Sequence, residues 1–144
     1  MPRLGILNFV LGFLFIFLSS SAGLFLATDQ AQMFVNDPEA LGSWWVTLST
    51  SAHGHTNLFG MLHVLLGLTL PYGVSSRKLD VMKTAGVFLG AFAMSVLMTV
   101  RAMGKPVVGY DALGVLMGIC FAAALTAIGL HLFGLLSSLY KRDS

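Results

Sequence analysis

Residues 53–72 read HGHTNLFGMLHVLLGLTLPY, an apolar run of membrane-crossing length that carries three of the chain's four histidines. An ionisable side chain is costly inside hydrocarbon, so within a membrane span it marks a functional site by default. Imidazole is also the side chain that most readily ligates a metal or a heme iron. Three further apolar runs, at about 4–27, 84–100 and 112–139, are each close to the ~20 residues a helix needs to cross a bilayer. The expected architecture is therefore all-α: an integral membrane four-helix bundle, with residues 1–144 as a single transmembrane domain. Composition agrees. Hydrophobic residues make up 56% of the chain and charged residues 10%, against about 25% charged in a soluble domain.

The charges set the expected orientation. Arg3 precedes the first run, Arg77, Lys78 and Lys83 lie between the second and third, and Lys141 and Arg142 follow the fourth. The loop after the first run carries Asp29, Asp37 and Glu39 and no Lys or Arg. The positive-inside rule then places both termini in the cytoplasm, in a bacterial-type inner membrane. Arg101 and Lys105, between the third and fourth runs, break this pattern and call for a partner. A net charge of +2 without a basic cluster gives no footing for nucleic acid. The first run exceeds the about 7–15 residues of a secretory h-region, so it reads as a retained helix.

The one long loop, Thr28 to about Ala52, has its own signals. Asp37-Pro38-Glu39 resembles a helix start, with Asp as N-cap, Pro at the first position and an acid in the first turn. Trp44 and Trp45 favour the headgroup level. A short interfacial helix on the outer face is expected there. Gly86/Gly90 and Gly114/Gly118, each one turn apart, favour close helix approach. Cys120, the only cysteine, reads as a small apolar filler.

On a helical wheel centred on His53, Asn57 falls at roughly +40°, Gly60 at roughly −20° and Gly67 at roughly −40°. One face thus carries an imidazole followed by two residues without side chains. Such a strip suits a planar ring, and heme is the planar ring most often held by histidine; it equally suits a neighbouring helix. His55 falls at roughly 200°, toward the membrane boundary. His63 lies about 15 Å along the axis from His53, too far to share one iron, so it or His131 could serve only as a second ligand elsewhere or through another helix. Heme propionates would point outward, where Arg101 and Lys105 are the cations to meet them. Met94 and Met98 share a face of the third helix, but filling the core is the ordinary role of methionine. Zinc would need three or four close ligands, and only His53, His55 and Asp111 lie near one surface.

The pairs Ala52-His53 and Gly60-Met61, closed by Leu70-Pro71-Tyr72, resemble the second helix of the membrane styrene oxide isomerases. Gly109-Tyr110-Asp111 matches an element before that family's last helix. These small four-helix proteins bind heme b and convert aryl epoxides to aldehydes. The resemblance implies His53 as the proximal heme ligand and the ferric iron as a Lewis acid on the epoxide oxygen. The family's substrate-contacting Asn and Tyr and its intramembrane Asp fall on Phe59, Met98 and Gly90, so those contacts are not kept. The string His53-Gly54-His55-x-x-Leu58-Phe59-Gly60 also looks like a helix of nitric oxide reductase and heme-copper oxidase subunits, which are far larger.

The sequence therefore leads to a heme b membrane protein, a homo-oligomer in the bilayer. Its candidate cofactor-binding residues are His53, Asn57, Gly60, Gly67, Arg101 and Lys105. Two functions are open to it: a styrene-oxide-isomerase-like enzyme acting on a small apolar substrate, or a heme-bearing electron-transfer or sensor protein, including a small subunit of a larger redox complex.

Overall fold

The computed structural model describes residues 3–107, 109 and 111–142, with the side chains of 141 and 142 left aside. Tyr110 of the Gly109-Tyr110-Asp111 element lies outside the described residues. Four long helices account for most of the chain: α1 (Arg3–Asn36), α2 (Trp44–Thr69), α3 (Arg77–Met103) and α4 (Ala112–Arg142). The described residues contain no strand.

Local chemistry explains where each helix starts and stops. Pro38 disfavours helical geometry at the residue before it, and Asp37 turns out at φ −153°, ψ 74°. α1 therefore runs on to Asn36 instead of stopping near Ala27, because Thr28–Asn36 contains neither Pro nor Gly. Pro38–Gly42 is a 3₁₀ helix in the place of the expected interfacial helix, and Asp37 makes no side-chain cap to it. Ser43 caps α2 by accepting from the Val46 N–H at 3.4 Å. The two tryptophans thus open α2 itself, and His53 sits more than two turns inside the helix it was expected to begin. Ser76 caps α3, accepting from the Leu79 N–H at 3.3 Å. Asp111 Oδ1 caps α4, accepting from the Gly114 N–H at 2.8 Å.

Three helices, Arg3–Asn36, Arg77–Met103 and Ala112–Tyr140, are long and apolar enough to cross a membrane. α2 has the length, about 39 Å for its 26 residues, but its three histidines and Asn57 lower its hydropathy.

α1 and α2 pack antiparallel along a seam with a seven-residue repeat. Gly5, Gly12 and Ser19, all buried on α1, face Gly67, Gly60 and His53 on α2. A Cβ on Gly12 would lie 2.7 Å from the Gly60 carbonyl oxygen, and one on Gly67 would lie 2.8 Å from that of Gly5. A repeat of seven keeps one stripe of each helix facing its partner, and small residues let the backbones close up. α3 and α4 pair in the same way: a Cβ on Gly86 would meet Ala123 and Ala127, and one on Gly90 would meet Phe59 and Ala124. Of the second expected glycine pair, Gly118 has open space beside it, while Gly114 leaves room for the side chains of Arg101 and Asp111 and not for a helix backbone.

A buried polar knot ties the two helix pairs together. Asn8, fully buried, donates from Nδ2 to Leu4 O and to Thr84 Oγ1, each at 2.9 Å. Its Oδ1 accepts from His63 Nδ1 at 2.8 Å. Phe15 stacks on the same imidazole at 5.8 Å. Residues of α1, α2 and α3 therefore depend on one amide. Leaving its buried partners unpaired should cost about 1–3 kcal/mol, so Asn8→Ala is expected to lower stability by that amount. Thermal unfolding in detergent checks it, and an unchanged midpoint would refute it.

The apolar core lies between α2, α3 and α4, around Phe59, Leu66, Leu70, Val87, Ala91, Ala124 and Ala127. Cys120 is buried in a second cluster with Ala93 and Leu97, in keeping with its filler role.

Candidate functional site: a histidine on an uncharged cavity

His53 is held by a reciprocal pair of bonds to α1. Its Nδ1 lies 2.9 Å from the Ser19 carbonyl oxygen, and the Ser19 hydroxyl donates to the His53 carbonyl at 2.8 Å. A carbonyl can only accept, so Nδ1 carries the proton and Nε2 keeps its lone pair. Space for the ring comes from Gly23, whose Cβ would fall on the imidazole. His53 thus takes the third place in the small-residue seam.

The imidazole lines a partly open cavity of about 360 Å³ between α1, α2 and α3, within the ~300–1,000 Å³ range of ligand sites. Its walls are apolar side chains such as Leu18, Ala22 and Trp45, with hydroxyls from Ser49, Thr56, Ser95 and Thr99. None of the twelve lining residues is charged. Leu18 and Phe25, both well exposed, stand at its open side.

α3 departs from regular geometry beside this cavity. Ala93–Leu97 forms a single π turn, a feature common at functional sites. Ser95, within this turn, and Thr99, just beyond it, both line the cavity wall. Ser95 donates to Ala91 O at 2.7 Å and Thr99 to Ser95 O at 2.6 Å, so both hydroxyls have lone pairs to spare.

The other expected residues are not gathered here. Gly60 and Gly67 do not form an open strip, because α1 lies against both. Asn57 is half-buried and lies outside the His53 cavity lining. Arg101 is already paired: Nη1 contacts Asp111 Oδ1 at 2.8 Å, and its guanidinium lies 5.9 Å from the Trp44 ring centroid. Trp44 Nε1 in turn donates to Arg101 O at 3.1 Å. The cation that broke the charge pattern thus has a partner within the chain. Lys105 is exposed and forms no ion pair among the described residues.

The remaining histidines are occupied separately. His55 lies on a different face, its Nδ1 donating to Ser51 O at 2.8 Å. His63 is held by Asn8, and His131 donates from Nε2 to Thr69 Oγ1 at 2.7 Å, since the Thr69 hydroxyl itself donates to Leu65 O. Neither His63 nor His131 lines the His53 cavity. Among the described residues no three His, Cys, Asp or Glu side chains gather as a metal site. Phe59, Met98 and Gly90 lie outside the His53 cavity lining, and the Phe59 ring fills the space that a Cβ on Gly90 would take.

Two features escaped the sequence reading. Ser19 carries no signal of its own within Ser19-Ser20-Ser21, although Gly5, Gly12 and Ser19 repeat every seven residues in register with His53, Gly60 and Gly67. Lys83, expected in a basic loop, is 1% exposed and donates to Ser75 Oγ at 2.9 Å and Asp80 Oδ1 at 3.3 Å. Compared with protein-family models, curated proteins and solved structures, the chain matches none.

Proposed function

We propose that this chain is a heme b protein of a bacterial-type inner membrane, with four helices crossing the bilayer as a bundle, both termini cytoplasmic, and His53 Nε2 as the iron ligand. The observation that carries this reading is the bond from His53 Nδ1–H to the Ser19 carbonyl. Metal-ligating histidines almost always donate the other ring N–H to such an acceptor, which fixes tautomer and orientation. His53 would be the residue of this wall that holds the iron, and the cavity is partly open, with Leu18 and Phe25 exposed among its lining residues.

A bound ferric heme would supply a Lewis acid at this wall. The chain's own groups do the rest. Ser19 holds the imidazole, the apolar wall keeps water out, and Ser95 and Thr99 offer hydrogen-bonding oxygens. Since no Asp, Glu, Lys or Arg lines the cavity, a small, neutral and largely apolar molecule is the substrate class that suits it. No second histidine or methionine lines the cavity, which favours an open iron face. A styrene-oxide-isomerase-like enzyme uses such a face, whereas bis-histidine electron carriers fill both positions. With Phe59, Met98 and Gly90 at the family's polar positions, selectivity falls to cavity shape and the two hydroxyls of α3. The exposed apolar faces of α1 and α4 would meet lipid or further copies of the chain.

The protein purified in detergent is expected to show a Soret band of five-coordinate, high-spin ferric heme and to convert aryl epoxides to aldehydes. A colourless, folded preparation would sink the heme reading. A six-coordinate low-spin spectrum without turnover would move the assignment to electron transfer or sensing.

A further inference from the structure

A second cavity, of about 590 Å³, opens at the end of the molecule remote from Trp44 and Arg101. Its lining combines the polar side chains of Arg3, Ser75, Arg77 and Asp80 with the apolar ones of Leu4, Leu70 and Pro71. Behind the polar part sits the buried ammonium of Lys83, bonded to two of these lining residues, Ser75 and Asp80. Arg3 and Arg77 on the lining and Lys83 behind it thus outnumber a single carboxylate, Asp80. That carboxylate is taken by Lys83, and neither Arg3 nor Arg77 has an acidic partner among the described residues. Guanidinium forks match phosphate oxygens in pairs, and excess positive charge beside an apolar wall matches a headgroup with its acyl chains still attached.

We infer that this cavity binds the phosphate of an anionic phospholipid from the cytoplasmic leaflet, with Arg3 and Arg77 on the phosphate and Leu4 and Pro71 against the chains. Basic pockets between membrane helices on that side hold such headgroups. The apolar wall is what favours a lipid over free phosphate. This inference rests on the membrane placement proposed above and is independent of the heme.

Its test reconstitutes the full chain into vesicles of phosphatidylcholine alone or with phosphatidylglycerol, and measures lipid retention by native mass spectrometry alongside thermal unfolding. Phosphatidylglycerol should be retained selectively and should raise the unfolding midpoint. Arg3→Gln and Arg77→Gln should each weaken retention about fivefold, while Lys105→Gln, at the opposite end, should leave it unchanged. Inorganic phosphate alone, added to protein in neutral detergent, separates the two sources of the anion. An equal midpoint rise from phosphate, abolished by Arg3→Gln, would keep the anion site but overturn the lipid as its occupant. Equal retention of the two lipids, or equal losses in all three variants, would overturn the site. Failure to insert into either vesicle would instead sink the membrane reading.

Discussion

His53→Gly is expected to abolish the Soret band of the purified protein while leaving it folded, and millimolar imidazole is expected to restore the band. The variant removes the one nitrogen whose lone pair is free on the cavity wall and leaves room there for a free imidazole. The structural cost is small. It comprises one hydrogen bond to Ser19 O, worth about 0.5–1.5 kcal/mol net, the ring's contact with Gly23 and up to about 1 kcal/mol for a glycine in the helix interior, against a typical stability of about 5–15 kcal/mol. Helical content and unfolding midpoint therefore separate loss of ligation from loss of fold. Ser19→Ala, by contrast, should keep the band, because the acceptor for Nδ1–H is the backbone carbonyl. If His53→Gly keeps a full band, His53 is not the ligand. If His55→Gly loses it instead, the site belongs on the other face of α2.

The second large effect concerns the seam between α1 and α2. Gly60→Leu should destabilise the protein by at least about 3 kcal/mol, and Gly12→Ala by about 1–3 kcal/mol, the range for overpacking a tight interior. A Cβ at Gly60 would stand 2.7 Å from Ile16 Cγ1 and 3.0 Å from the Gly12 carbonyl oxygen. At Gly12 the obstacles include the Gly60 carbonyl oxygen at 2.7 Å and Val64 N at 2.9 Å. Backbone cannot rotate away as a side chain can, so the helices must separate. Separation would also pull Ser19 from His53, and Gly60→Leu should lose heme along with stability. Gly54 is the control. Nothing lies within 4 Å of its Cβ position, and Ala is better than Gly in a helix by about 1 kcal/mol. Equal midpoints for Gly12→Ala and Gly54→Ala would refute the seam.

Helix identity and turn positions were legible in the sequence because apolar runs and Pro/Gly punctuation act locally. Asp37-Pro38, Leu70-Pro71 and Gly104-Lys105-Pro106 each end a helix or lie just past its end. Helix lengths were not legible from hydropathy. Thr28–Asn36 is polar enough to resemble a loop, yet with no breaker before Pro38 the backbone hydrogen bonds simply continue. Ser43, likewise, starts α2 a full two turns before the apolar run becomes evident. His53 stood out as the candidate ligand and lies on a cavity wall, but the role of the glycines beyond it depended on a partner. A face of His53, Gly60 and Gly67 looks the same whether a cofactor or a helix covers it, and only the matching spacing of Gly5, Gly12 and Ser19 points to the helix. Arg101 was misjudged for a similar reason. Its partner, Asp111, approaches only after the chain has turned between Gly104 and Gly109. Lys83 looked like loop charge until Ser76 was seen to start α3 ahead of it.

The early start of α2 bears on how a ligand would arrive. With Trp44 and Trp45 at the headgroups, nine residues of helix at about 1.5 Å each carry His53 about 13 Å inward, close to the midplane of a ~30 Å hydrocarbon layer. The cavity mouth at Leu18 and Phe25 would then open sideways into lipid, not toward water. In that setting the bilayer would be the solvent from which the site draws its ligand. Occupancy would follow the mole fraction of a compound dissolved in the membrane, and two ligands of equal intrinsic affinity would be ranked by their oil–water partition. Apparent affinities quoted per litre of buffer would shift with the amount of lipid present, while those expressed per lipid would stay fixed.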